Sequence, residues 1–438
     1  MTKLHSIARR FFSTILEIIR FVIKSFFYLK GRLCLSPSNV LFVPHPSMCL
    51  NDRYSIINYK SDNSLSLLNY ILTNGFLPDK TFYVAVSENE SIERNTEYVK
   101  KKFPHAEVKF LRILFSQKKL GRMEYLHNFT EFCSIVSSSS HIFTSSTFIS
   151  FDYSLRHLIS KQVVVDLNYF SAPFKNDILS DSNHVRRTLL KQESIYSFVI
   201  CPSELSARLF VPSSTLSYSK YVNLGMCRND YLLSDEYPEQ LRRRIVSDVT
   251  YQVRYILLYT PTHRDYECSD NSDNFRPLLG FEADLQELDN VLKSFGVIIL
   301  AKLHPAQNKK VIKCTLPESV KIFSGDEYFG LNELMKVSDV LMTDYSSGYF
   351  DYLLLDKPVI FNFYDFDKYL RYRGLSYSPI DSVIAGDVVR DMESLRNALS
   401  RIEINRESNR MKRHFVRDLF FADTNSCSCE RVYKYFFN

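Results

Sequence analysis

The chain has no tryptophan, no low-complexity tract, no internal repeat and no clean apolar run long enough to span a bilayer. With apolar residues at 45%, these absences leave a globular protein whose 28 tyrosines and 34 phenylalanines supply most of its core rings. Cysteine is sparse too: nine residues, odd in number and scattered, fit reduced thiols in a cytosolic setting rather than a disulfide framework. The pair Cys427 and Cys429 is too closely spaced to make a metal site, and no His/Cys cluster has ligand spacing. No metal and no cofactor is expected. At 438 residues the chain should hold about two to three domains.

Charge is absent in net terms from almost the whole chain. Residues 1–33 carry Lys3, Arg9, Arg10, Arg20, Lys24, Lys30 and Arg32 against Glu17, a surplus equal to the formal charge of the entire protein, +6. The rest is balanced and lacks a basic patch interleaved with base-stacking aromatics, which argues against nucleic acid as a partner. The positive segment is amphipathic, with Ile15, Ile19, Phe21, Val22, Phe26 and Phe27 among its charges. Arg20 and Lys24 interrupt it too often for a transmembrane span, and it lacks the cleavage site of a signal peptide. It reads as a helix lying on an anionic membrane surface, with a helix packed on the protein's own core as the alternative.

What is present is an alternation of strands and helices. Strands are expected at 39–43, 81–86, 107–111, 141–144, 162–166 and 196–200, with helical stretches such as 64–72 between them. A charged, helix-like segment at 236–248 reads as a crossover. More strands follow at 255–259, 296–302 and 358–363, and residues 392–438 read as helices. The expected organisation is a membrane-associating segment at 1–33, an acceptor-side Rossmann-like domain at 34–235, a nucleotide-donor Rossmann-like domain at 236–400, and helices at 401–438 that cross back.

Three strand ends carry the chemistry. The apolar stretch before Met342 leads into Thr343-Asp344-Tyr345-Ser346-Ser347, and a helical pattern starts at once with Tyr349, Phe350, Leu353 and Leu354 on one face. Two hydroxyls and free backbone N–H groups at a helix N-terminus, on the carboxyl edge of a parallel sheet, suit phosphate. The alternative is a pair of serines closing an ordinary helix. A second strand ends in Thr260-Pro261-Thr262-His263-Arg264-Asp265 and a third in Lys302-Leu303-His304-Pro305. Polar or cationic groups at three such ends point to a phosphate-bearing ligand.

The same segments carry a family resemblance. Ser61-Asp62-Asn63-Ser64, Cys201-Pro202-Ser203, Gly225-Met226-Cys227-Arg228-Asn229-Asp230, the stretches around Thr262 and His304, and Thr343 through Tyr352 stand in the order found in the CDP-glycerol glycerophosphotransferases. The chain resembles these teichoic-acid primases and polymerases from about residue 60 to 400. The resemblance implies an α/β, GT-B-like architecture, two Rossmann-like domains with a cleft between them. It implies a donor, CDP-glycerol or a related CDP-polyol, and a lipid-linked or glycan acceptor at the cytoplasmic face of the cell membrane. Arg228 would contact the donor diphosphate, and Pro261 and Thr262 would line the nucleotide site. Lys302 and His304 would approach the phosphates, with His304 stabilising charge on the departing CMP. Ser346 and Ser347 would cradle a phosphate, and Asp351 would hold a hydroxyl of the nucleotide. Such a set matches phosphoryl transfer, which is mostly positioning and charge stabilisation.

The chain departs from the family at one point. Where the family has a Trp-His-Gly-Thr-Pro-Leu-Lys-like segment, this sequence has Tyr169-Phe170-Ser171-Ala172-Pro173-Phe174-Lys175. Phe170 stands where the resemblance implies the base that activates the acceptor, and phenylalanine cannot take a proton. His45, between Pro44 and Pro46 after the first strand, is the candidate substitute. A surface-loop histidine is the other reading of that position. Two further classes stay open: a GT-B glycosyltransferase using a nucleotide sugar, and a non-catalytic membrane-bound subunit of a capsule assembly complex.

Overall fold

A computed structural model describes residues 18–28, 36–45, 55–86, 91–112, 122–145, 158–159, 161–168, 171–174, 195–214, 216–262, 279–280, 285–303, 316–323 and 329–438. Of these, the residues within 1–58, 62–169 and 187–199 form one compact unit, and those within 59–61, 170–186 and 200–438 form a second.

The first unit is built on a parallel sheet of β1 (Ser36–Val43), β2 (Thr81–Val86), β3 (Glu107–Arg112), β4 (Ser139–Thr144), β5 (Val163–Asp166) and the start of β6 (Phe198–Cys201), in the order β3-β2-β1-β4-β5-β6. Val40, Leu41, Phe42 and Val43 are all fully buried, the mark of a parallel strand covered on both faces. The helix Asn63–Thr73 starts where the Asp62 side chain accepts the N–H of Leu65, and the helix Ile92–Lys102 starts where Ser91 accepts that of Arg94. The serine-rich stretch after Ser134 finishes the helix Arg122–Ser138 before β4 begins. Residues 18–28 are helical, with Ile18, Phe21, Val22 and Phe26 exposed. Arg20 and Lys24 turn toward the protein: Arg20 lies over the Tyr125 and Phe129 rings and Lys24 over Phe129. Among the described residues no helix is long and apolar enough to cross a membrane.

The second unit holds the short strand β7 (Tyr221–Asn223) and a second parallel sheet. Its strands are β8 (Tyr255–Thr260), β9 (Val297–Lys302), β10 (Val320–Phe323), β11 (Val340–Thr343), β12 (Val359–Asn362) and β13 (Asp387–Val389), in the order β10-β9-β8-β11-β12-β13. Alternate residues of the central strands feed two cores. Ile256, Leu258, Ile298, Leu300, Leu341 and Phe361 pack on one face, and Leu257, Tyr259, Ile299, Ala301, Met342 and Ile360 on the other. Residues 200–235 and the helices after Met392 cluster in this unit. So do the described residues Ser171–Phe174, although they follow the last residues of β5 in sequence. Phe174 is 1% exposed and packs its ring against Tyr345, Tyr349, Phe350 and Tyr377.

Candidate active site

In the second sheet the chain runs outward from β8 to β9 and β10, then returns beside β8 as β11 and runs outward the other way. The order reverses between β8 and β11, and open α/β sheets hold ligands in the crevice beyond such a point. Two of the loops expected to bind phosphate meet there. Thr343 Oγ1 donates to the Thr260 carbonyl at 2.9 Å, which joins the last residues of the two strands. One residue further, the Asp344 carboxylate accepts the Thr262 N–H at 2.9 Å, the Thr262 hydroxyl at 2.6 Å and the Tyr345 N–H at 2.6 Å. Asp344, 1% exposed, thus ties the Pro261–Thr262 turn to the Tyr345–Ser347 turn. The sequence signal for it was an acid between an apolar strand and two serines, and the site residues drawn from the sequence do not include it.

Ser346 and Ser347 are half-buried at this edge. Ser346 Oγ accepts the Gly348 N–H at 3.3 Å, while Ser347 occupies the N-cap position without closing the helix by its side chain. The helix after them is shorter than the sequence pattern suggests. It runs Gly348–Tyr352, tightens into a 3₁₀ turn, Leu353–Leu355, and ends at Asp356, which takes a left-handed conformation with φ 50°. Tyr349, Phe350 and Leu353 are buried as expected, and Leu354 lies at the margin of the core.

Asp351, which the resemblance assigns to a nucleotide hydroxyl, lies beside Arg228. Its carboxylate is buried and engaged on both oxygens: Arg228 Nη2 donates to Oδ2 at 2.7 Å, Asn229 Nδ2 to Oδ1 at 2.9 Å, and the Ser171 hydroxyl to Oδ1. An acid so placed orients Arg228. Asn332 Nδ2 donates to the Arg228 carbonyl at 2.8 Å, so the arginine is braced at both ends. Beside Asn332, burial pushes the Glu333 carboxyl up to about 7 although it accepts the Gly330 N–H at 3.0 Å. The Lys302 ammonium lies 5.2 Å from the Phe323 ring centroid, at the end of β9. His304, His263, Phe170 and Lys175 lie outside the described residues. Among the described residues, no group of three or more His, Cys, Asp or Glu side chains is placed to hold a metal.

The first sheet reverses order between β1 and β4, and His45 follows β1 there. Its backbone N–H donates to Asp62 Oδ2 at 2.9 Å. Asp62 also accepts the hydroxyls of Ser64 and Ser145 at 2.7 and 2.8 Å and the Leu65 N–H at 3.0 Å. That buried carboxylate organises the loops of its own sheet edge.

Two parallel sheets, each reversing order at its centre, with a phosphate-suited edge on the second, define a GT-B-like α/β protein. The structure of the wall teichoic acid polymerase TagF has this fold: it matches with a TM-score of 0.67 at 18% identity, over 99% of this chain and 97% of that one. The sequence profile of the CDP-Glycerol:Poly(glycerophosphate) glycerophosphotransferases matches residues 67–438, and the chain belongs to that family. The teichoic acid glycerol-phosphate primase of Bacillus subtilis is 26% identical over 328 residues, covering 70% of this chain and 81% of the primase. The teichoic acid poly(ribitol-phosphate) polymerase of Bacillus spizizenii is 28% identical over 244 residues, covering 55% of this chain but only 37% of the polymerase.

Proposed function

We propose that the chain transfers a polyol phosphate, with glycerol phosphate the first candidate, from a CDP-linked donor to a membrane-associated acceptor in cell-surface polymer synthesis. Membership of a glycerophosphotransferase family makes it a phosphotransferase. In the proposed reaction an acceptor hydroxyl oxygen attacks the phosphorus that carries the polyol, the bond from that phosphorus to CMP breaks, and CMP leaves with the electron pair. The hydroxyl proton passes to a base. The observation that carries the reading is the tie between Thr262 and Asp344, which holds two phosphate-suited turns together at the switch point of the second sheet. Arg228, held by Asp351, supplies positive charge, and Ser346, Ser347, Lys302 and His304 complete the proposed donor set.

His45 is the proposed base, supported by its place at the carboxyl edge of the first sheet, where the order of that sheet reverses. Attachment to an anionic membrane surface, peripheral and on the cytoplasmic face, is proposed for the N-terminal segment. The exposed apolar side chains of Ile18, Phe21, Val22 and Phe26 support it.

The test is CMP release from CDP-glycerol and CDP-ribitol in the presence of lipid-linked acceptors, with UDP-sugars in parallel. Release of CMP from a CDP-polyol supports the reading. Turnover of UDP-sugars alone would make the protein a glycosyltransferase, and binding of CDP-polyols without turnover would make it a non-catalytic subunit.

A further inference from the structure

Arg228 lies on a segment, Leu224–Asp230, that the C-terminal helix Ser428–Phe437 grips from outside. The Cys427 side chain leaves that helix uncapped. Its first two N–H groups are capped instead by a residue from far back in the sequence: Asp230 Oδ1 accepts the Ser428 N–H and Oδ2 the Cys429 N–H, each at 2.8 Å. Arg431, one turn along, donates from Nε to the Leu224 carbonyl at 2.9 Å, and Asp423 and Asn425 brace its Nη1 at 2.7 and 2.8 Å. Gly225 permits the approach. Its φ is +86°, and a Cβ there would collide with the Ser428 hydroxyl. Asp230 is buried enough for its pKa to be pushed up by desolvation, against the pull of the two N–H groups it accepts.

Three consecutive residues therefore divide their bonds between two directions. Arg228 and Asn229 reach Asp351, and Asp230 reaches the C-terminal helix. We propose that Asp230 is a positioning residue for the donor site: by capping the C-terminal helix, it fixes the backbone from which Arg228 meets the donor diphosphate. The inference rests on the donor reading of Arg228 and extends it to a helix about 200 residues away in sequence, whose separation from Asp230 is 198 to 199 positions.

The experiment is a double-mutant cycle on CDP binding, with CDP as the diphosphate probe. Affinity is measured calorimetrically on the folded fraction of wild type, Asp230→Ala, Arg228→Ala and the double variant. Asp230→Ala is expected to weaken CDP by about tenfold to a hundredfold, the scale of a small misplacement of a binding group. It should add little in the Arg228→Ala background. Asp230→Asn, which keeps one acceptor oxygen, should recover part of the affinity and serves if the alanine variant does not fold. Unchanged CDP affinity in folded Asp230 variants, or independent losses in the double variant, would overturn the proposal. A wild-type protein that binds no CDP would instead remove the donor reading, and this inference with it.

Discussion

Arg228 and Asp351, 123 positions apart, form an ion pair of 2.7 Å in which the two side chains are only 9% and 3% exposed. Removing one member of a buried pair strands the other, at a cost of about 3–5 kcal/mol. Asp351→Ala should therefore lower the urea midpoint of unfolding as well as donor affinity, while Asp351→Asn should lose less stability because it retains an acceptor. An Asp351→Ala protein with the wild-type midpoint would show that the guanidinium is satisfied without the pair.

The Asp344 tie predicts a separation of effects. Thr262→Val removes the hydroxyl bond and keeps the backbone one, so stability should fall by only about 0.5–1.5 kcal/mol. Asp344→Ala leaves the N–H groups of Thr262 and Tyr345 without that acceptor and should cost more. Both should raise the KM for the CDP-linked donor, the alanine variant further. Equal KM values in wild type and Asp344→Ala would detach this tie from donor binding.

Glu333 predicts a pH dependence of known sign. Its folded pKa is raised to about 7, above the unfolded value of about 4.3, so the folded state binds more protons between those limits. Its contribution to stability is full below the unfolded pKa and is lost as pH rises through about 7. Relative to Glu333→Gln, wild type should lose on the order of 2–4 kcal/mol between pH 4 and 8. Denaturant unfolding of both proteins at several pH values measures this, and parallel curves would contradict it.

Much of the fold was legible because its central strands are apolar on both faces. β1, β8 and β9 read as continuous runs in sequence and are buried as such. β10 and β13 were not legible. They are the edge strands of the second sheet, only four and three residues long, and each keeps partly exposed positions that dilute the apolar signal. Ser171–Phe174 was expected with the first domain because it follows β5. Its place in the second unit is decided by tertiary packing of Phe174 on Tyr345 and Tyr349, which no local pattern encodes. At the site, the strand ends carrying Thr262 and Ser346–Ser347 were visible as polar groups after apolar runs. The two carboxylates behind the site, Asp344 tying those turns together and Asp351 holding Arg228, depend on pairings more than 80 positions apart, as the separations of 82 and 123 show.

His45 carries the least direct prediction. If it accepts the acceptor's proton, His45→Ala should cut turnover by about a hundredfold and leave donor affinity nearly unchanged, as expected of a base acting in the transition state. Phe170→His should then restore part of the rate. A His45→Ala enzyme of normal turnover would assign the proton to another group.

The most direct test of the donor site is the rate of CMP release from CDP-glycerol by Ser347→Ala and His304→Ala proteins, measured beside wild type with an acceptor present. Wild type should release CMP, and each variant should be slower by about tenfold to a thousandfold, the range for losing one preorganised charge-stabilising donor. Each should keep the wild-type unfolding midpoint. Full turnover in both folded variants would contradict a donor site at the carboxyl edge of the second sheet.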